Sequence, residues 1–520
     1  MSAPGGNFRF SLGRLRRPGG NPPLKEQALP SDEASAPGVF ELLRSVLTLG
    51  AGSILSIVIA IVLAKTWSTL LGPSKYGLAA LMQSMLSLGG TVAGVGAGQA
   101  LARESAHAIG QNDQRRVNAL RVAALRLVVA SSGLCAVLLI LFRSPIARLV
   151  LGSSSHSDAV LLLAPALVAL TASGVLSSVL VAHRRVAAIA RFNVASTGIY
   201  AIVGIPLVAV WRGSGIAPSL LTGAVLSCLL VLIVVHRQAG RVTRRVPLHE
   251  ILRETGRLLR FGMGYTFAAC VGGGVLMVMP VLVLHLLNPA SVGFYDAAVA
   301  ISVNYVNLST AALGQEYFPR LAAMRDDGAR VVRAINDQIR LMRLVAAPLL
   351  FLALALAPLG VPILYSGAFR PAVTVLTWMI VADALRVPSW TMAWAVLAVR
   401  GSSLYMLLET FGGLSLLGAV VLGIRVFGLS GVGIGFVIGY GLYYGAVWLI
   451  CRKAVSLRLS RTNSVWTSLT VVGALAVQVV SLRAPHFRTL VAVPVALIAV
   501  GLSARVFWME HRQPTVSPAD

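Results

Sequence analysis

In a chain this apolar, the polar residues able to do chemistry within the long hydrophobic stretches are few and fall into patterns. Ser84, Ser87, Thr91 and Gln99 lie close to one face at helical spacing. Asn304, Asn307 and Gln315 do the same farther along, with Asp296 a turn or two earlier. Such stripes are unfavourable towards lipid, so they face protein or water: either helix–helix hydrogen bonds or the wall of a wet cavity. The basic candidates are Arg44, Lys65, Arg260 and Arg386, which could hold an anionic group. Arg44 and Arg260 sit at equivalent span ends, where snorkelling to headgroups and lining a cavity mouth are both open. The acidic residues within spans include Asp296, Asp383 and Glu409, candidates for coupling to a proton or sodium ion. Asp383 and Arg386 are three apart on a helix and could instead neutralise each other.

No reaction chemistry accompanies them. The sequence has no phosphate-binding G-x-x-x-x-G-K-[ST] loop, no His/Glu metal helix and no nucleophile elbow. Asp326-Asp327 is an acidic doublet within a basic loop. Cys135, Cys228, Cys270 and Cys451 fall in or at the ends of apolar runs without metal-ligand spacing, as core packing residues do. A non-enzyme with no cofactor and no metal is expected.

The elements that must position these residues are membrane helices. Apolar residues make up 57% of the chain and charged residues 12%. Apolar runs of about 20 residues recur, each long enough to cross a bilayer. We read fourteen spans: 42–64, 76–100, 122–142, 159–181, 192–211, 216–235, 262–287, 292–317, 344–364, 373–397, 403–424, 431–450, 466–482 and 489–507. The net charge of +26 would suggest nucleic acid in a soluble protein. Here it gathers in alternate loops, as in Arg237, Arg241, Arg244, Arg245, Arg253 and Arg257, so it reads as positive-inside bias and no nucleic-acid partner is expected. Both termini are then cytoplasmic. Residues 1–38 are polar and Gly/Pro/Ser-rich, a disordered basic tail without a secretory signal.

The chain also repeats itself. Leu70-Leu71-Gly72-Pro73 through Gly77 returns as Leu286-Leu287-Asn288-Pro289 through Gly293, and Gly98-Gln99 returns at the same offset as Gly314-Gln315. The offset covers an even number of crossings, so the two copies share one orientation and form a parallel repeat. The organisation expected is a six-helix lobe over 39–236, a basic linker over 237–261, a second lobe over 262–452, an extra helix pair over 466–507 and a tail over 508–520. Each Pro step should end one span and re-aim the chain into the next.

Leu71-Gly72-Pro73-x-x-Tyr76-Gly77-Leu78, with Gly96-x-Gly98-x-Ala100-x-x-Arg103, resembles the first-lobe signature of bacterial polysaccharide (O-antigen type) flippases. These belong to the multidrug/oligosaccharidyl-lipid/polysaccharide exporter superfamily. Val292-Gly293-x-Tyr295-x-x-Ala298 with Phe318-Pro319-Arg320-Leu321 resembles the second-lobe signature, and Leu364-Tyr365-Ser366-Gly367-x-Phe369 the outer end of span 9. The resemblance implies an all-α polytopic fold with two lobes in a V around a cavity, alternating access, and a place in the bacterial cytoplasmic membrane. It implies a lipid-linked glycan as substrate, with membrane lipids and glycan-assembly enzymes as further candidate partners. The four cations would then meet a pyrophosphate and the two stripes a glycan. A lipid II flippase and a drug/cation antiporter are the alternatives. Span 7 departs from the family: Gly272-Gly273-Gly274-Val275-Leu276 carries no mid-span acid.

Overall fold

The computed structural model describes residues 39–240 and 246–483, with 493–494, 497–498 and 500–501 beyond them. Side chains at 39–54, 268, 271–273, 276–277, 305, 307–316, 319 and 482–483 lie outside the description. So do the tail 1–38 and most of the fourteenth span.

Among the described residues the chain is a succession of α-helices with no strand. Helix α1 (Val39–Gly94) is divided at Gly72, where φ of 68° and ψ of 174° break the helix ahead of Pro73. Its length decides the reading: Leu55–Gly94 alone is 40 residues, about twice what one crossing needs. Gly72 supplies the left-handed φ that other residues resist. Helix α2 (Ala97–Gly110) follows a second break, then come α3 (Gln114–Leu141), the short α4 (Arg143–Leu151), α5 (Ser157–Ala182), α6 (Val186–Trp211) and α7 (Ile216–Ala239). The second half runs α8 (Leu248–Leu286), α9 (Pro289–Ala323), α10 (Gly328–Leu364), α11 (Ala372–Arg400), α12 (Ser402–Phe427) and α13 (Leu429–Ala454). Helix α14 (Arg461–Arg483) packs on α10 and α11.

The two halves repeat an order of crossings but turn their hairpins differently. In the first, Gly72 uses positive φ. In the second, Asn288 is extended at φ −165° and its side chain caps α9 by accepting from the Ser291 amide at 2.9 Å, with Pro289 at the first helical position. The two copies of the motif thus turn the chain by different local means.

Apolar side chains on the outside, such as Ile202 at 75% exposed, belong against hydrocarbon. Inside, the hairpin ends of both halves share one hydrophobic cluster, from Trp67, Leu71 and Leu81 to Met279, Tyr295 and Phe369. At the other end, where the arginine-rich loops lie (the basic side), the cores are separate. One is built on α2, α3, α5 and α7, the other on α9, α10, α11 and α13. Ile251 and Leu258 of α8 join the first of these, although α8 opens the second half. The stretch expected as a linker is therefore helical from Leu248, and its apolar face covers the neighbouring half.

Candidate functional site

The two halves meet along a seam with a distinct contact at each end. At the hairpin end, a side chain at Gly77 would strike the Pro289 carbonyl and one at Gly293 would strike the Pro73 carbonyl. Each copy of the repeated motif therefore rests on the other, backbone to backbone. Around this contact Tyr76 meets Tyr365 at 5.8 Å and Phe369 at 5.4 Å between ring centroids, both edge-on. Phe294 closes on Phe369 at 5.9 Å. Asp296 lies among these rings, within reach of the Tyr76 hydroxyl. Lys65 donates from Nζ to the Pro362 carbonyl of α10 at 2.9 Å, a further tie between halves.

The basic end is held by different chemistry. Val95 (φ 46°) and Gly96 (φ 60°) break the helix between α1 and α2. A side chain at Gly96 would strike the backbone of Gly262, and one at Gly262 the Val95 carbonyl. Next to this contact Arg103 stacks 4.8 Å from the Phe261 ring centre. One helical turn and more along α8, the Glu254 carboxylate is 1% exposed. It is surrounded by Arg257 at 2.7 Å, Arg253 at 3.5 Å and Arg116 of α3 at 3.8 Å, all on Oε1. Glu250 pairs with Arg115, and Arg116 also meets Glu104 at 2.8 Å. The Glu254 carboxylate is buried while Arg253 and Arg257 are largely exposed, so removing its cations would strand the carboxylate, not the arginines. The seam thus has a glycine-and-aromatic closure at one end and a glycine-and-ion-pair closure at the other.

Between the closures, Ser84, Ser87 and Thr91 remain on the second arm of α1, half-buried or exposed, and the Thr91 hydroxyl donates back to Ser87 at 2.9 Å. Gln99 is exposed on α2, beyond the Gly96 break, so the stripe does not run straight to it. Asn304 is exposed on α9, with its amide on the Ala300 carbonyl at 2.6 Å. Asn307, Gln315 and Arg44 lie outside the described side chains. Arg260 is exposed at the basic end of α8.

The three acidic candidates are not brought together. Asp383 and Arg386 form a buried pair at 3.2 Å within α11. Ser302 of α9 donates to the same carboxylate at 2.8 Å, and Arg386 lies 4.3 Å from the Trp390 ring and 5.6 Å from that of Tyr440. Glu409 of α12 accepts from the Tyr443 hydroxyl at 2.6 Å. Asp296 is in the aromatic closure. Glu250, Glu254 and Arg116 belong to no recognised motif. Two carboxylates four residues apart in a stretch otherwise full of arginine were the available signal.

A family model described as polysaccharide biosynthesis protein matches residues 62–374, which include both hairpins and both closures. The chain belongs to this family. Its fold is that of the multidrug/oligosaccharidyl-lipid/polysaccharide exporter superfamily. The lipid II flippase MurJ in an inward closed conformation matches with TM-score 0.67 at 12% identity, over 90% of this chain and 99% of that one. An inward-facing multidrug resistance MATE family transporter matches with TM-score 0.59 at 16% identity, over 79% of this chain and 98% of that one. A superfamily transporter from Pyrococcus furiosus matches with TM-score 0.52 at 15% identity, over 79% and 96%. At these identities the likeness concerns the fold. No curated protein matches the sequence significantly. These neighbours are a lipid II flippase and membrane transporters, and this chain is a multi-pass membrane protein with their fold.

Proposed function

We propose that the protein is a flippase that moves an isoprenoid-pyrophosphate-linked oligosaccharide from the cytoplasmic to the outer leaflet for cell-surface polysaccharide assembly. The observation that carries this reading is the asymmetry of the seam. Its hairpin end is one continuous core, whereas at its basic end the two cores are separate and the start of α8 is held to the first of them by ion pairs with α3. Ion pairs at a membrane surface can exchange their partners for water. A shared apolar core cannot do so without exposing its area, so the basic end is the one poised to open.

In this reading the basic side is cytoplasmic. Ser84, Ser87, Thr91, Asn304, Asn307 and Gln315 hydrogen-bond the sugars, with Gln99 beyond the break. Arg44 and Arg260 meet the pyrophosphate at the cavity mouth, and no bond is made or broken. Substrate drives the cycle because it binds the inward and outward states with different free energy. Lys65 belongs to the outer closure. Arg386, paired within α11, steadies the second lobe beside Asp383. Coupling to an ion gradient rests on Asp296, whose position in the outer closure ties its charge to opening there. The lobes correspond to 39–236 and 262–452. A lipid II flippase is the second reading, favoured by the span of the MurJ likeness, which takes in more of this chain than the MATE structures do.

Deletion of the gene, followed by analysis of lipid-linked glycans, tests this. Accumulation of an oligosaccharide on its lipid carrier in the inner leaflet supports it. An unchanged glycan pool with heightened sensitivity to cationic dyes would point to the antiporter.

A further inference from the structure

Two concavities meet on the basic side of the second half, and Arg458 lines both. The first, about 800 Å³, lies among the α9–α10 turn and the ends of α11 and α13; Arg325, Arg333, Arg400 and Arg458 line it, and no carboxylate does. Among the described residues Arg325 pairs with the exposed Asp326, at 3.7 Å, and Arg400 caps the Ala454 carbonyl. Among the described residues Arg333, Arg452 and Arg458 have no carboxylate partner. Guanidinium groups converging on one space repel each other unless an anion joins them.

The second concavity, about 750 Å³, lies between α13 and α14 and grades along their length. Arg452 and Arg458 stand at the basic end, and Arg452 stacks 5.6 Å from the Trp448 ring centre. Deeper come the hydroxyls of Ser464, Thr467 and Ser468, and deeper still Leu385, Val471 and Val472. Cations, then hydroxyls and an indole, then aliphatic wall is the order of polarity along a phospholipid. The rim is also fixed in place. Ser456 turns the α13–α14 connection with φ of 54°, Leu457 is buried, and Asn336 holds the Arg458 carbonyl at 3.1 Å and the Ser460 amide at 2.7 Å.

We propose that this site binds an anionic phospholipid of the leaflet on the basic side, with its phosphate on Arg452 and Arg458 and its acyl chains along α13 and α14. Basic recesses between membrane helices on this side are suited to such headgroups. The site lies outside the stripes and closures assigned to the substrate, so it does not depend on what the protein carries.

The test is binding of phosphatidylglycerol, phosphatidylcholine and soluble glycerol phosphate to the purified full-length protein in detergent, read by native mass spectrometry. Phosphatidylglycerol should be retained at least roughly tenfold better than phosphatidylcholine, and Arg452→Gln with Arg458→Gln should erase that preference. Arg425→Gln, at the opposite end of α12, should leave it intact. Equal retention by wild type and the double variant would overturn the site, and glycerol phosphate binding as tightly as the lipid would overturn the lipid. Should the double variant fail to fold, brominated phosphatidylglycerol should quench the wild-type protein more than the Trp448→Phe variant. Equal quenching would also overturn the proposal. Neither readout involves transport, so failure here leaves the flippase reading standing and the reverse.

Discussion

Gly77 and Gly293, the same position in two copies of one motif, face each other so closely that each leaves room only for the other hairpin's backbone. A repeat whose equivalent residues meet is a two-fold contact, so the hairpins pack on each other as well as turn the chain. Neither glycine has positive φ, so what each supplies is the absence of a side chain, not conformational freedom.

Gly77→Ala and Gly293→Ala should each lower stability by about 1–3 kcal/mol, because a methyl group would meet backbone and cannot be absorbed by a rotamer change. Thermal unfolding in detergent measures this. Gly90→Ala, where a methyl group has nothing within 4 Å, is the control and should be neutral.

Glu254 and Arg116 join the halves at the other end. Glu254→Gln should favour the open basic end, raising the rate at which a thiol reagent modifies a cysteine placed at Phe261. Arg116→Glu should do likewise. The charge-swapped pair, Arg116→Glu with Glu254→Arg, should restore part of the protection, as a double-mutant cycle requires of a direct interaction. Additive effects would assign the two residues separate roles.

Ser87, Thr91 and Asn304 hold no long-range bond among the described residues, so truncating them should spare the fold. The triple change to Ala is expected to cut export at least tenfold with less than about 1 kcal/mol of stability lost. Equal losses of folded protein and export would return the stripes to helix packing.

His183, at the basic end of α5, carries the pH dependence. Burial lowers its pKa, its backbone bond to Val179 opposes this, and Arg121 and Arg185 add to the lowering. Arg121 approaches Nε2 at 3.3 Å and donates to the Ala239 carbonyl at 2.9 Å, tying α3, α5 and α7. The unfolded chain takes up the proton more readily, so stability is complete above the ordinary histidine pKa of about 6.5 and falls as pH drops below it. Melting temperature measured from pH 8 to 5 should show this decline, and His183→Gln should flatten it.

The sequence made the helices legible because hydrocarbon imposes one rule on every crossing, and Pro73 and Pro289 marked where two of them turn. The repeat disclosed the order of elements. It could not disclose that Gly77 would rest on Gly293, since matching positions need not touch. The Gly96 break escaped notice because a glycine in an apolar helix reads as close packing, and φ is not written in residue type. Asp383 and Arg386 were visible as neighbours on one helix, but their Ser302, Trp390 and Tyr440 surroundings come from α9, α11 and α13 folding together. Glu254 was hidden among arginines, its meaning set by Arg116 on a helix far away in sequence.

The most direct measurement is translocation itself. Purified protein in liposomes, given a lipid-linked oligosaccharide on one leaflet, should make it accessible to a membrane-impermeant glycosidase from the other side. The account predicts protein-dependent exposure that the Ser87, Thr91 and Asn304 triple variant loses while remaining folded. Exposure no faster than in empty liposomes, across the lipid-linked saccharides of the host and with protein shown to be folded, would contradict it.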